Sequence, residues 1–269
     1  MKNLILITYT LVFGFINAQE VQDLPWEKNI ADREFLPYQK VREADVFWSK
    51  RLWRIIDIRE KQNLIFAYPQ QTLAEILHKA ALSGILKAYD NSVVNGDQFK
   101  MEMTKEALQK IGTRNETIEI MDAETFLYST MSVHEEFDFS KVTKFKIKED
   151  WFFNSATSTM EVRIIGIAPM MSVFDEFGNF LGDETLYWLY YPDLRPILAK
   201  VEAFNMGNSA VRLSWDDIFE ARYFASYIYK EDNVYDRNIQ EYTTGIDAIL
   251  ESKRITKKIF DFEQDLWEY

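Results

Sequence analysis

From Asp45 to Asn63 the chain runs without a proline or a glycine, so nothing in it interrupts a regular element. At roughly 100° per residue, Ile55, Trp48, Leu52, Ile56 and Trp53 fall on one broad arc. Lys50, Lys61, Arg54 and Arg51 fall on the opposite arc, with Phe47 and Ile58 between them. The pattern predicts an amphipathic helix that docks one face into a core. Asp45 stands at its start, where a carboxylate suits the helix dipole. The other face has two readings, a solvated basic surface or a contact stripe. Cations clustered on an acidic chain either serve its own carboxylates or meet an acidic partner.

That the chain is acidic is plain from its net charge of −12. Such a balance disfavours nucleic acid, whose phosphates need a basic footprint, and anionic lipid surfaces. A protein or peptide partner is the natural expectation. At 269 residues and 47% apolar, the chain can bury a sizeable core. Its aromatic content of 15% supplies core rings, and Tyr, Trp and Arg are also favoured interface anchors. The absence of cysteine excludes disulfides, thiolate metal sites and thiol nucleophiles.

Met1–Ala18 reads as a secretory signal: Lys2 is the positive start, Leu4–Ile16 a mostly apolar run too short to span a bilayer, and Ala18 a small residue before the cut. Cleavage is expected between Ala18 and Gln19, which takes the net charge from −12 to −13 because residues 1–18 hold one lysine and no acid. Residues 19–43, with Pro25 and Pro37, form an extended arm that Trp26, Phe35 and Tyr38 pin to the domain or to a neighbour. Residues 44–259 form one α+β domain with a largely antiparallel central sheet flanked by N- and C-terminal helices.

Within it, Thr72–Glu75 has the capping-box pattern before Leu73, Ile76, Leu77, Ala80 and Ala81, and Gly84 ends that helix. Ile85–Tyr89 reads as a strand, and Thr104–Ile111 as a short helix. Alternation from Thr117, the apolar set Val142, Phe145 and Ile147, and the runs Met160–Ile167, Met170–Asp175 and Leu186–Tyr191 predict strands. Gly178-Asn179 marks a hairpin turn. Tyr191-Pro192-Asp193 turns the chain, and Arg195-Pro196 leads into Ile197–Phe204. Ser214 caps a helix carried on through Tyr227, and a last helix runs from about Gly245 to Ile259. Residues 260–269 form an acidic aromatic tail that docks on its own core or on a partner.

The chemistry-bearing residues are few. His78 lies in a helix and His134 precedes Glu135-Glu136; no helical zinc spacing, nucleophile elbow or phosphate loop occurs. No metal or cofactor is expected. The pairs Asp216-Asp217, Glu135-Glu136 and Asp183-Glu184 leave a periplasmic carboxylate-dependent hydrolase as the alternative to a non-enzymatic adaptor working through surfaces. On the adaptor reading, Lys50, Arg51 and Arg54 pair with an acidic partner face, Phe47 adds apolar contact, and Trp267 and Tyr269 anchor the tail.

Three blocks carry a family resemblance. The first is Asp45, Trp48-Ser49-Lys50-Arg51, Trp53-Arg54, Ile56-Asp57 and Arg59-Glu60-Lys61 with Asn63. The second is Ser214–Glu220, followed by Ser226–Glu231 and Asn233–Arg237, and the third is Glu263–Tyr269. They resemble the GldN (PorN) family of Bacteroidetes gliding and type IX secretion machines, over nearly the whole mature chain. The resemblance implies a periplasmic, non-enzymatic component that joins an outer-membrane lipoprotein, GldK (PorK), in a large ring with further copies of itself. It implies a link to the periplasmic part of GldM (PorM), and membrane association only through partners.

Overall fold

The computed structural model describes residues 30–91, 96–111, 114–121, 128–135, 137–175, 177–205, 207 and 211–266. In chain order the elements are β1 (Val46–Asp57), α1 (Leu73–Leu82), β2 (Ala88–Tyr89), α2 (Lys105–Lys110), β3 (Arg114–Met121) and β4 (Tyr128–Glu135). Then follow β5 (Val142–Asn154), β6 (Thr159–Phe174), β7 (Phe180–Thr185), β8 (Trp188–Tyr190), α3 (Tyr191–Leu198) and β9 (Glu202–Ala203). The chain closes with β10 (Leu213–Ser214), α4 (Trp215–Glu220), β11 (Tyr227–Glu231) and α5 (Ile246–Asp265). A seven-stranded sheet runs β11-β1-β5-β6-β8-β2, with β7 also on β6, and every pairing is antiparallel. The α+β architecture expected from the sequence is thus present.

The stretch expected to be the opening helix is instead β1, a strand between β5 and β11. Two features mislead a reading by helical period. The neighbouring apolar pairs Leu52-Trp53 and Ile55-Ile56 satisfy either period, because this strand buries residues on both faces. The rich supply of Val, Ile and Trp favours a pleated surface over a helix.

The pleat sets Trp48, Lys50, Leu52, Arg54 and Ile56 opposite Phe153, Trp151, Glu149, Ile147 and Phe145 on one face. That face carries two apolar clusters. Ile56, Phe145 and Ile147 join α1, α3 and α4 around Phe66, whose ring lies 5.2 Å from Trp215 and 5.9 Å from Phe145 and Phe219. Leu52 joins Ile228, Ile239, Ile255 and Ile259, which seats α5 over the β11 side of the sheet. On the other face Trp53, Ala168 and Trp188 pack together, closed over by Phe99. There Gly166 is needed for space: a Cβ would stand 2.5 Å from the Phe99 ring.

Thr72 caps α1 through a 3.2 Å bond from the Glu75 amide, while the Glu75 carboxylate takes Lys79 rather than returning to the cap. The strand expected over Ile85–Tyr89 is only β2, and α2 lies where the Thr104 cap predicts. The runs Met160–Ile167 and Met170–Asp175 are one strand, β6, with Pro169 between its β8-paired and β7-paired parts. Helix α3 replaces the expected turn and extended run, because Pro192 occupies its first turn, where a missing N–H costs nothing. Helix α4, with a complete Ser214–Asp217 capping box, stops at Glu220 rather than continuing to Tyr227. Arg222 takes a left-handed φ of 55°, Tyr223 and Ser226 lie in the loop that follows, and Tyr227 opens β11. Helix α5 runs on to Asp265, so much of the expected tail is helical; Trp267 and Tyr269 lie outside the described residues.

Candidate interaction surface and its supporting network

Each basic residue singled out on β1 is engaged within the chain. Lys50 Nζ lies 2.5 Å from Glu231 on β11, and Arg51 grips Asp150 on β5 by two bonds of 2.6 and 2.7 Å. Arg54 donates to the Ser226 hydroxyl at 2.8 Å and to its carbonyl at 3.1 Å. Burial pushes the Arg54 guanidinium below its ordinary value, nearby Glu149 pulls it back up, and Arg222 lowers it further. Phe47 is different: its ring is 69% exposed, with an edge contact to Phe153 at 6.5 Å. Lys50 and Arg51 keep partial exposure on the same strand. Lys50 and Arg54 share one face of β1 and Arg51 lies on the other, so the strand does not bring the three cations together on one side.

Beneath this strand lies a buried polar network with no signature in the sequence. Glu149, fully buried, accepts from Arg222 at 2.9 and 3.2 Å and from the Trp151 indole at 2.9 Å. Fully buried Asn63 donates to the Asp57 and Ala225 carbonyls, both at 2.8 Å, and accepts from the Ala225 amide at 2.9 Å. It ties the exit of β1 to the loop before β11. On the reverse face, Trp53 is held by Asp97 at 2.8 Å and flanked by the ammonium groups of Lys230, 4.5 Å from the ring, and Lys148, 5.6 Å away. Burial pushes Lys148 down from its ordinary range. The same partial burial would raise Asp97, but Lys148 and the Trp53 bond hold it below the usual carboxylate range.

The described part of the arm lies on its own chain. Arg33 meets Asp217 at 2.6 Å, and the Tyr38 hydroxyl donates to Glu220 at 2.6 Å. Phe35 and Tyr38 cover the Arg195 guanidinium at 5.3 and 4.2 Å. Arg195 in turn holds Asp216 by bonds of 2.9 and 3.2 Å. Burial and Glu220 push the Tyr38 phenol up.

Three of the carboxylates that raised a hydrolase are occupied in the same way. Asp216 belongs to Arg195, Asp217 to the α4 cap and Arg33, and Asp183 to Lys144 and Ser172. Glu136 and the side chains of His134 and Glu135 lie outside the described residues. His78 is buried beneath Phe137 and Phe139, with Nδ1 3.3 Å from the Tyr187 hydroxyl. Among the described residues no group of His, Cys, Asp or Glu is placed to hold a metal ion. Among them, too, no helix is long and apolar enough to cross a membrane.

An antiparallel α+β domain whose described charged clusters pair internally, with aromatic residues left open, has the makings of a structural component. The family model for the gliding motility associated protein GldN matches residues 41–268, and the chain belongs to that family. It is thereby a component of the gliding-motility and type IX secretion machinery. No curated protein sequence matches the chain.

Proposed function

We propose that the chain is a non-enzymatic adaptor of the periplasm, exported by residues 1–18, that builds a ring with a GldK (PorK)-like outer-membrane lipoprotein and further copies of itself. The periplasmic domain of a GldM (PorM)-like protein is its second partner, so the ring supports export through type IX secretion and, in gliding cells, adhesin movement. Membership of the GldN family over residues 41–268 carries this reading. The internal engagement of Asp216, Asp217 and Asp183 supports it against a carboxylate hydrolase.

On this reading Phe47 is the apolar anchor of a lipoprotein contact, with Lys50 and Arg51 at its rim and Arg54 steadying the strand behind. Trp267 and Tyr269 anchor the tail on a neighbouring subunit. Because the three cations have internal partners, Phe47→Ser is the cleaner probe of the first contact, and truncation before Trp267 probes the second. A cell lacking the chain should retain its type IX cargo in the periplasm, and the wild-type chain should restore export. Normal cargo release without the chain would remove the proposal.

A further inference from the structure

Two exposed patches on opposite flanks of the sheet are alike in being apolar and unlike in charge. The first is the β6–β7 turn. The Asp175 carboxylate accepts from the Phe177 amide at 2.9 Å, the Asn179 amide at 2.7 Å and Asn179 Nδ2 at 2.9 Å. Gly178 takes the left-handed corner at φ 81°. This internally bonded turn holds Phe177 outward, 89% exposed, with Phe174, Phe180 and Leu181 open beside it. The segment Phe174–Thr185 carries four acids and no lysine or arginine, and among the described ones only Asp183 is paired with a cation, Lys144.

The second patch is on α5. Its inner stripe, Ser252, Ile255 and Ile259, is buried. On the outer side Ile246, Ile249, Leu250, Lys253, Lys257 and Phe260 are all exposed, and helical spacing gathers them within an arc of roughly 100°. A cleft of about 670 Å³ opens beside the first turns of the helix, with Tyr227, Ile239, Ala248 and Ile249 among its walls.

We propose that the β6–β7 tip of one copy seats on α5 of a second copy of this chain, with Phe177 entering the cleft and the acidic turn facing Lys253 and Lys257. Charge complementarity selects the second copy's α5 as the acceptor. Helix against helix would bring Lys253 and Lys257 onto their own counterparts, and tip against tip would oppose acids. The two patches of one chain do not meet, because β6, β5 and β1 lie between β7 and β11, a span of about 19 Å at roughly 4.8 Å per strand. The contact is therefore head to tail, and a pair of copies keeps one free tip and one free cleft, the geometry that closes into rings or extends into filaments. A preorganised turn loses little freedom on docking. This deepens the self-association in the proposed function and rests on that part alone; the lipoprotein contact can fail without touching it.

The test uses the purified chain by itself, followed by sedimentation velocity over a concentration series. The tip variant is F177S/L181S and the helix variant is K253E/K257E, both at exposed positions, each first shown to melt as the wild type does. The wild type should grow in mass with concentration, and each variant alone should associate about tenfold more weakly or worse. Mixed one to one, the two variants should form a heterodimer and nothing larger, because one good tip and one good cleft remain between them. A variant that assembles alone like the wild type overturns the proposal, as does a mixture that forms no complex while the wild type assembles. A wild type that stays monomeric also overturns it. If that monomer floats with phosphatidylcholine vesicles through Phe177, the tip is a lipid contact instead.

Discussion

Arg222 shows how much one residue carries here. It closes α4 in a left-handed conformation at φ 55° and neutralises fully buried Glu149 at 2.9 Å. Removing one partner of a buried ion pair strands the other charge, so Arg222→Ala should cost about 3 kcal/mol or more, read as a lower urea midpoint. An unchanged midpoint would mean that Trp151 and solvent suffice for Glu149. His78 gives a pH test. Burial holds its pKa below the ordinary value, so the folded state takes up a proton less readily than the unfolded chain, which titrates near 6.5. Its contribution is complete above the unfolded value and is lost as pH falls from about 6.5 toward the lower folded value. The urea midpoint should therefore drop between about pH 7 and pH 5.5, and His78→Phe should flatten that part of the curve. An equal slope in both proteins would assign the effect to other groups. Neither role was legible in the sequence, since Glu149 reads as one acid among many until its strand partner Leu52 fixes the face it points from.

Among elements, the helices declare themselves through local chemistry and β1 does not. Thr72, Thr104 and Ser214 each cap the helix their spacing predicts, because capping needs only residues within a few positions. The hairpin at Gly178 is legible for the same reason. β1 is a strand because of β5 and β11, which are distant in sequence, and its cations are tolerated because Glu231 and Asp150 stand beside them in the sheet. The wheel sets the cations opposite the apolar residues, whereas the pleat puts Lys50 and Arg54 on the face of Leu52 and Ile56, and Arg51 on the face of Trp53. Helix α5 is fastened to the same sheet by a bond across 24 residues, the Ser252 hydroxyl accepting from the buried Ile228 amide at 3.0 Å. Ser252→Ala leaves that donor unsatisfied, at a cost of about 1–3 kcal/mol, and should speed hydrogen exchange at Ile228. Exchange at the wild-type rate would show that water replaces the hydroxyl.

At the scale of the whole molecule, the described chain is fastened internally and left open at apolar surfaces. The arm is strapped down by Arg33 and Tyr38, and the sheet is clamped by α5 on one flank. Large apolar side chains are left open at Phe47, at the β6–β7 tip and along α5. Such patches on a chain with net charge −12 suit protein partners more than anionic membranes. The family was legible from three sequence blocks, whereas the open surfaces were not, because exposure depends on which strands close over which residues.

The most direct measurement is to purify the tagged chain from detergent-solubilised envelopes, identify what comes with it, and image the assembly by electron microscopy. The account predicts a large ring that contains many copies of the chain and an outer-membrane lipoprotein. A chain recovered alone and monomeric, even after crosslinking in the cell, would contradict it.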